Sequence, residues 1–149
     1  MAPVLDFPNE LEVRIDTPLG GHVKRRDDGR IEFVSPIACP FNYGSANNTQ
    51  APDGDREDVI VLGEKLERGA NVRVPVLGRV RFIDAGQQDH KWLCGDVLTQ
   101  YEINRIRRFF KLYSRAKRLL NALSFASGAT RFEGIELPET SLPHVALPV

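Results

Sequence analysis

Cysteine is scarce in this sequence: Cys39 and Cys94 are the only two in 149 residues. Two distant thiols make no disulfide framework, and they suit a reduced, cytoplasmic protein. Histidine is as sparse. His22, His90 and His144 lie too far apart for a His/Cys zinc site. No apolar run approaches the roughly 20 residues that cross a bilayer. Met1 to Glu10 lacks the basic start and apolar stretch of a signal peptide. Net charge is also missing, with 20 Lys and Arg against 20 Asp and Glu. A nucleic-acid or membrane-surface binder needs a basic excess, so neither partner is expected. No repeat and no linker divides the chain. The 42% hydrophobic content and the length suit a single domain over residues 1–149.

What is present is pattern. Leu11–Asp16 alternates apolar and polar and predicts a half-buried strand. Turns are expected at Leu19–His22 and Asp27–Gly29, with a strand over Arg30–Ser35. Pro36–Asp58 has no clear period and reads as an ordered, irregular loop region. Val59–Leu62 is a short buried strand. Asn71–Asp84 alternates again, with Pro75 and Gly78 marking a bulge or an edge. Lys91–Cys94 is a further strand, and Trp92 is expected in the core. Helical spacing begins after Asp96: Ile103, Ile106, Phe110, Tyr113, Lys117 and Leu120 recur at three- and four-residue steps. Thr99 and Glu102 form a capping-box pattern, and Gly128 is a natural stop. The Pro-containing tail from Glu136 is expected to be extended or loosely packed. The sum is an α+β protein, a small mostly antiparallel β-barrel or sheet with one long C-terminal helix.

The balanced charge is unevenly placed. Asp53-Gly54-Asp55-Arg56-Glu57-Asp58 concentrates carboxylates, and Arg105 to Arg118 concentrates cations. A calcium loop over Asp53–Glu64 is rejected, because its sixth position needs Gly and is Asp58. Asp84 and Asp89 flank a second polar turn, with Lys91 just beyond. Asp53, Asp55, Asp58, Asp84 and Asp89 would repel one another in a shared site unless hard divalent cations cancelled the charge. Mg²⁺ takes a few carboxylates and completes its shell with water and phosphate oxygens.

These residues carry a resemblance. Asn42-Tyr43-Gly44, Asp53-Gly54-Asp55-x-x-Asp58-Val59, Asp84…Asp89-His90-Lys91 and Phe109-Phe110-x-x-Tyr113 resemble, in the same order, the soluble family I inorganic pyrophosphatases. The likeness spans about Val13 to Phe132. It implies an OB-like barrel and Mg²⁺-dependent hydrolysis of pyrophosphate, with two or more ions and Mn²⁺ as a substitute. By resemblance, Asp53, Asp58 and Asp89 hold the activating metal, Asp55 helps deprotonate the attacking water, and Asp84 binds further metal with substrate. Asp16 stands where the family usually has Glu. Lys24 and Lys91 would hold phosphate oxygens, and Tyr43 and Tyr113 would bond phosphate or water. Family members are hexamers or dimers, so a homo-oligomer is expected.

The chain also departs from the pattern. Arg26 stands in place of a carboxylate, and an Arg expected between Phe33 and Pro40 is missing. Cys39 replaces a Tyr before Pro40, Ala85 an acidic neighbour of Asp84, and Ser114 a Lys after Tyr113. The connection from Cys94 to the helix is short. Lys111, Arg115, Lys117 and Arg118 either compensate on the phosphate side or merely solvate the helix. His90 reads as a rim residue, and Cys39 as a packed small hydrophobe. Two further readings stay open: a hydrolase of an organic diphosphate on the same fold, and a weakly active or inactive relative that binds a phosphorylated ligand.

Overall fold

The computed structural model describes residues 7–25, 30–34, 38–50, 54, 56–125 and 127–138, with backbone alone for 24, 25, 32–34, 48 and 50. Asp53, Asp55, the expected turn at Asp27–Gly29 and the tail beyond 138 lie outside the described residues.

The strands are β1 (Glu10–Thr17), β2 (Val23–Arg25), β3 (Ile31–Val34), β4 (Asn42–Gln50), β5 (Arg56–Val61), β6 (Asn71–Asp84), β7 (Gln87–Gln88) and β8 (Lys91–Cys94); helix α1 (Gln100–Leu123) and β9 (Arg131–Glu136) follow. The ladder β1–β4–β5–β8–β6 returns to β1 and closes a five-stranded barrel. Every pair in it is antiparallel except β5 with β8. This is the expected OB-like α+β fold.

Two layers of core explain the sequence pattern. Val13, Ile15, Ala46, Val59, Val61, Trp92 and Cys94 share one cluster, and Tyr43, Ile60, Val80, Phe82 and Leu93 join α1 in another. Successive strand residues point to opposite faces. Val59-Ile60-Val61 and Lys91–Cys94 are therefore buried on both sides, and so they lack alternation. β6 changes face along its length. A register shift between Val76 and Gly78 lets Val72, Val74 and Val76 join the first cluster while Val80 and Phe82 join the second. Gly78 is required there because a Cβ would lie 2.6 Å from the Glu136 carbonyl oxygen.

Three expectations are corrected. The irregular region expected over Pro36–Asp58 contains the nine-residue β4, and β5 begins at Arg56. Asn, Gly and Ser are poor strand formers; β4 exists because β1 and β5 pair with it on both sides. β9 was not anticipated. It is held by pairing with β6 and by Arg79 and Arg81 on Glu136, at 3.3 and 3.0 Å. Gly128 does not end the helix, which stops at Leu123 with Ser124 N–H donating to Leu120 O. Gly128 instead lets its backbone approach the Ala85–Gly86 turn, where a Cβ would come within 2.5 Å of the Ala85 carbonyl carbon.

At the other end of α1, Thr99 accepts from Glu102 N–H at 3.1 Å. Ile103, Ile106 and Phe110 face the barrel, and Phe110 meets the rings of Phe41, Phe82, Tyr113 and Phe132. Burying a side chain of that size contributes about 1.5–3 kcal/mol. At the opposite side Asn42, wholly buried, accepts from the N–H groups of Leu19 and Leu66 and donates to the carbonyls of Val61 and Glu64. Asn42→Ala would strip partners from all four groups. It should destabilise the fold by about 2–4 kcal/mol, read as a lower urea midpoint.

Candidate active site

The barrel face beneath α1 gathers the predicted side chains strand by strand. Tyr43 lies on β4 opposite Ile60, and Asp58 on β5 pairs in register with Lys91 on β8. Ser45 pairs with Asp58 and donates its hydroxyl to Asp16 Oδ2 at 2.7 Å. Asp16, Ser45, Asp58 and Lys91 thus form a row across β1, β4, β5 and β8. On β1 the odd positions Val13 and Ile15 fill the barrel, so Asp16 faces out with the row.

Lys91 is the centre of this row. Its side chain is 0% exposed, and its Nζ lies 2.9 Å from Asp58 and 3.0 Å from Asp89. The rings of Tyr43 and Phe82 flank the ammonium at 5.8 Å each. A buried ammonium is tolerated only when opposite charge and hydrogen bonds compensate its desolvation. Tyr43 donates to Asp58, and its hydroxyl is held well above the usual range by burial and by the charges of Asp58 and Asp89. Tyr43 is therefore a neutral donor. Asp89 is fixed by its own N–H bond to Phe82 O at 2.9 Å. His90, half-buried, accepts at Nδ1 from Phe82 N–H at 3.0 Å. Burial and then Arg79 and Arg81 push its pKa down, favouring the neutral ring.

Asp84 lies two residues beyond Phe82 and has different company. Asn121 Nδ2 donates to it at 2.8 Å, Lys117 Nζ approaches to 3.2 Å, and the Thr130 hydroxyl lies at 3.4 Å. Burial alone would raise its pKa, but the Asn121 bond and the Lys117 charge outweigh it and lower the value. Tyr113 sits one turn before Lys117, its ring 5.5 Å from Phe82. Ser114 is buried, its hydroxyl donating to Lys111 O, so it offers no cation.

The described residues bring Asp16, Tyr43, Asp58, Asp89, Lys91, Tyr113 and Asp84 to one face. Lys24 lies on β2, tied to β1 through Thr17 Oγ1 donating to Val23 O at 2.7 Å. Ser45, Asn121 and Thr130 were missed by sequence reasoning. Asn121 was discoverable, because it stands two helical turns after Tyr113 and one after Lys117 on the same stripe. The two thiols are inert. Burial pushes Cys39 up to about 11 and Cys94 to about 12.

The donor chemistry fits a hard divalent cation. Asp58 and Asp89 aim carboxylate oxygens at one shared positive centre, here the Lys91 ammonium. Among the described residues no three His, Cys, Asp or Glu side chains form a metal cluster; Asp53 and Asp55 are not among them. Removing the ammonium would leave two carboxylates facing each other. Lys91→Met should therefore lower metal-free stability by roughly 3 kcal/mol, and an unchanged urea midpoint would show that the ion pair does not hold the face together.

Comparison with known proteins agrees with this geometry. The family model described as Inorganic pyrophosphatase matches residues 15–130. An inorganic pyrophosphatase of Campylobacter jejuni is 30% identical over 131 residues, covering 72% of this chain and 76% of the relative. One from Halalkalibacterium halodurans is 31% identical, covering 71% and 78%. The crystal structure of an inorganic pyrophosphatase from Neisseria gonorrhoeae superposes with a TM-score of 0.70 at 25% identity, covering 89% of this chain and 85% of that one. From sequence match, fold and the order of acidic side chains along the barrel face, the chain belongs to the family I soluble inorganic pyrophosphatases and is an enzyme of the inorganic diphosphatase class.

Proposed function

We propose that this chain hydrolyses inorganic pyrophosphate to two phosphates with Mg²⁺, two or more ions being held by Asp53, Asp55, Asp58, Asp84, Asp89 and Asp16. The observation that carries the reading is the convergence of Asp58 and Asp89 on one buried cation, beside two tyrosines. Oxygen-only donors suit Mg²⁺, with Mn²⁺ able to replace it. When bound, the ions supply water activation at neutral pH and neutralise charge on the departing phosphate.

The chain's own residues do the rest. Asp55 accepts the proton of the attacking water. Tyr43 stays protonated and donates, either to Asp58 or to a phosphate oxygen. Lys91 holds Asp58 and Asp89 toward a common point until phosphate charge arrives. Lys24 and Tyr113 complete the phosphate side. Charge-assisted contacts of this kind contribute about 1.5–3 kcal/mol each.

The protein is further proposed to be cytoplasmic and a homo-oligomer. Two buried free thiols support the first. Leu119, Leu120, Leu123 and Phe125, exposed along the end of α1, support the second. No helix among the described residues is long and apolar enough to cross a membrane.

The decisive experiment is phosphate release from pyrophosphate with and without Mg²⁺. Asp53→Ala and Asp58→Asn should each lower turnover by more than about a hundredfold. Wild-type-like turnover in either variant would sink the assignment. Faster release from a nucleotide or a prenyl diphosphate than from pyrophosphate would move the substrate to the organic diphosphates.

A further inference from the structure

The basic side chains of α1 divide by what they touch. Arg105 donates to Pro40 O at 2.9 Å and Arg118 to Thr130 O at 2.8 Å. Both tie the helix to neighbouring backbone. Arg107, Arg108, Lys111 and Arg115 are exposed. Lys117 differs from all of these. It is turned inward, 20% exposed, and its ammonium lies 3.2 Å from Asp84 Oδ2.

That position belongs to the active face. Asp84 follows Phe82 by two residues on β6, hence on the same strand side. The Phe82 ring touches Tyr113 at 5.5 Å and lies 5.8 Å from the Lys91 ammonium. Lys117 stands four residues after Tyr113, on the same helix stripe. Lys91 thus lies beside Phe82, and Lys117 one helical turn from Tyr113 with its ammonium on Asp84. The helix position directly after Tyr113 is Ser114, buried and bonded to Lys111 O, so the cation nearest Tyr113 on this stripe is Lys117.

The partner of Lys117 is also built to release it. Asp84 accepts a second bond from Asn121 at 2.8 Å and has the Thr130 hydroxyl at 3.4 Å. Thr130 is itself positioned by Ala85 N–H and Asn121. These neutral donors keep the carboxylate hydrogen-bonded if the ammonium moves. A phosphate offers more charge and more acceptor oxygens than one carboxylate already shared among three donors.

We propose that Lys117 is a substrate-binding residue, parked on Asp84 and recruited to a phosphoryl group of the bound diphosphate. This rests on the diphosphatase reading above. It supplies, from one helical turn further along α1, the cation that Ser114 cannot supply. A purely structural role, a latch between α1 and the β6–β7 turn, predicts a different set of results.

The test compares wild type, Lys117→Met, Lys117→Arg and the exposed control Lys111→Ala in saturating Mg²⁺. Three quantities are read: KM and kcat for pyrophosphate, calorimetric affinity for the non-hydrolysable imidodiphosphate, and thermal midpoint. Lys117→Met should raise KM and weaken imidodiphosphate about tenfold to a hundredfold. Lys117→Arg should recover most of both, and Lys111→Ala should match wild type. As a check without substitution, amine labelling of wild-type Lys117 followed by mass spectrometry should slow at least about tenfold when imidodiphosphate is added. A Lys117→Met protein that melts lower but binds and turns over as wild type does overturns the proposal, as does unprotected labelling. A wild type that neither releases phosphate nor binds imidodiphosphate overturns the parent reading and this one with it.

Discussion

A single ammonium organises this face of the barrel. Lys91 comes from the shortest strand in the barrel ladder, yet its side chain fixes groups from three other places: Asp58 on β5, Asp89 in the turn after β7, and the Tyr43 ring on β4. Each carboxylate alone would resist burial, and so would the amine. Together they are stable only in a narrow set of geometries. That restriction is what an active site requires, because donors meant for a metal or a phosphate must already point the right way before the ligand arrives. Tyr43 shares the constraint. Burial and the charges of Asp58 and Asp89 hold the Tyr43 hydroxyl well above its usual range, so it stays a donor at neutral pH.

Asp84 and its neighbours form a second, looser arrangement. Here the donors come from the helix and from the segment leading into β9, not from the barrel itself. The Ala85–Gly86 turn has positive φ at both residues, 50° and 81°, which suits a tight hairpin but strains a non-glycine residue. Close packing of Gly128 against that turn, together with the bond from Gly86 N–H to Ala129 O, holds it in place. The aromatic cluster around Phe110 then sets the depth of α1, and so how far its side chains reach over the barrel. Packing, turn chemistry and electrostatics agree on one position for this end of the site.

Much of this was legible in the residues. The alternating strands, β1 throughout and β6 on either side of its register shift, and the helix with its Thr99 cap were readable because one face is more buried than the other. The bulge was signalled by Pro75 and Gly78. The acidic side chains were legible as a group because clustered like charge is costly without a purpose. What stayed hidden depends on partners distant in sequence. β4 looks like loop, since Asn42, Gly44, Ser45 and Asn47 are chosen for what lies across from them: Gly44 for the close approach of the Arg14 carbonyl, Asn42 for four backbone groups. β9 is a short strand whose reason for existing is the open edge of β6. The surroundings of Asp84 needed the fold as well, because Lys117 and Asn121 on the helix meet a carboxylate more than thirty residues earlier in the chain.

The one parallel pairing, β5 against β8, has a consequence for how the molecule matures. A parallel neighbour cannot be made by a hairpin; the chain must travel through β6 and β7 before β8 can lie beside β5. Asp58 and Lys91 face each other across that pairing, so the ion pair at the heart of the face is among the contacts with long loop closure behind them. Local hairpins can form while the chain is still open, but they hold only one half of the pair. Pairing β5 with β8 and joining Asp58 to Lys91 are therefore one event, and a chain that lacks this seam also lacks the centre of its polar face.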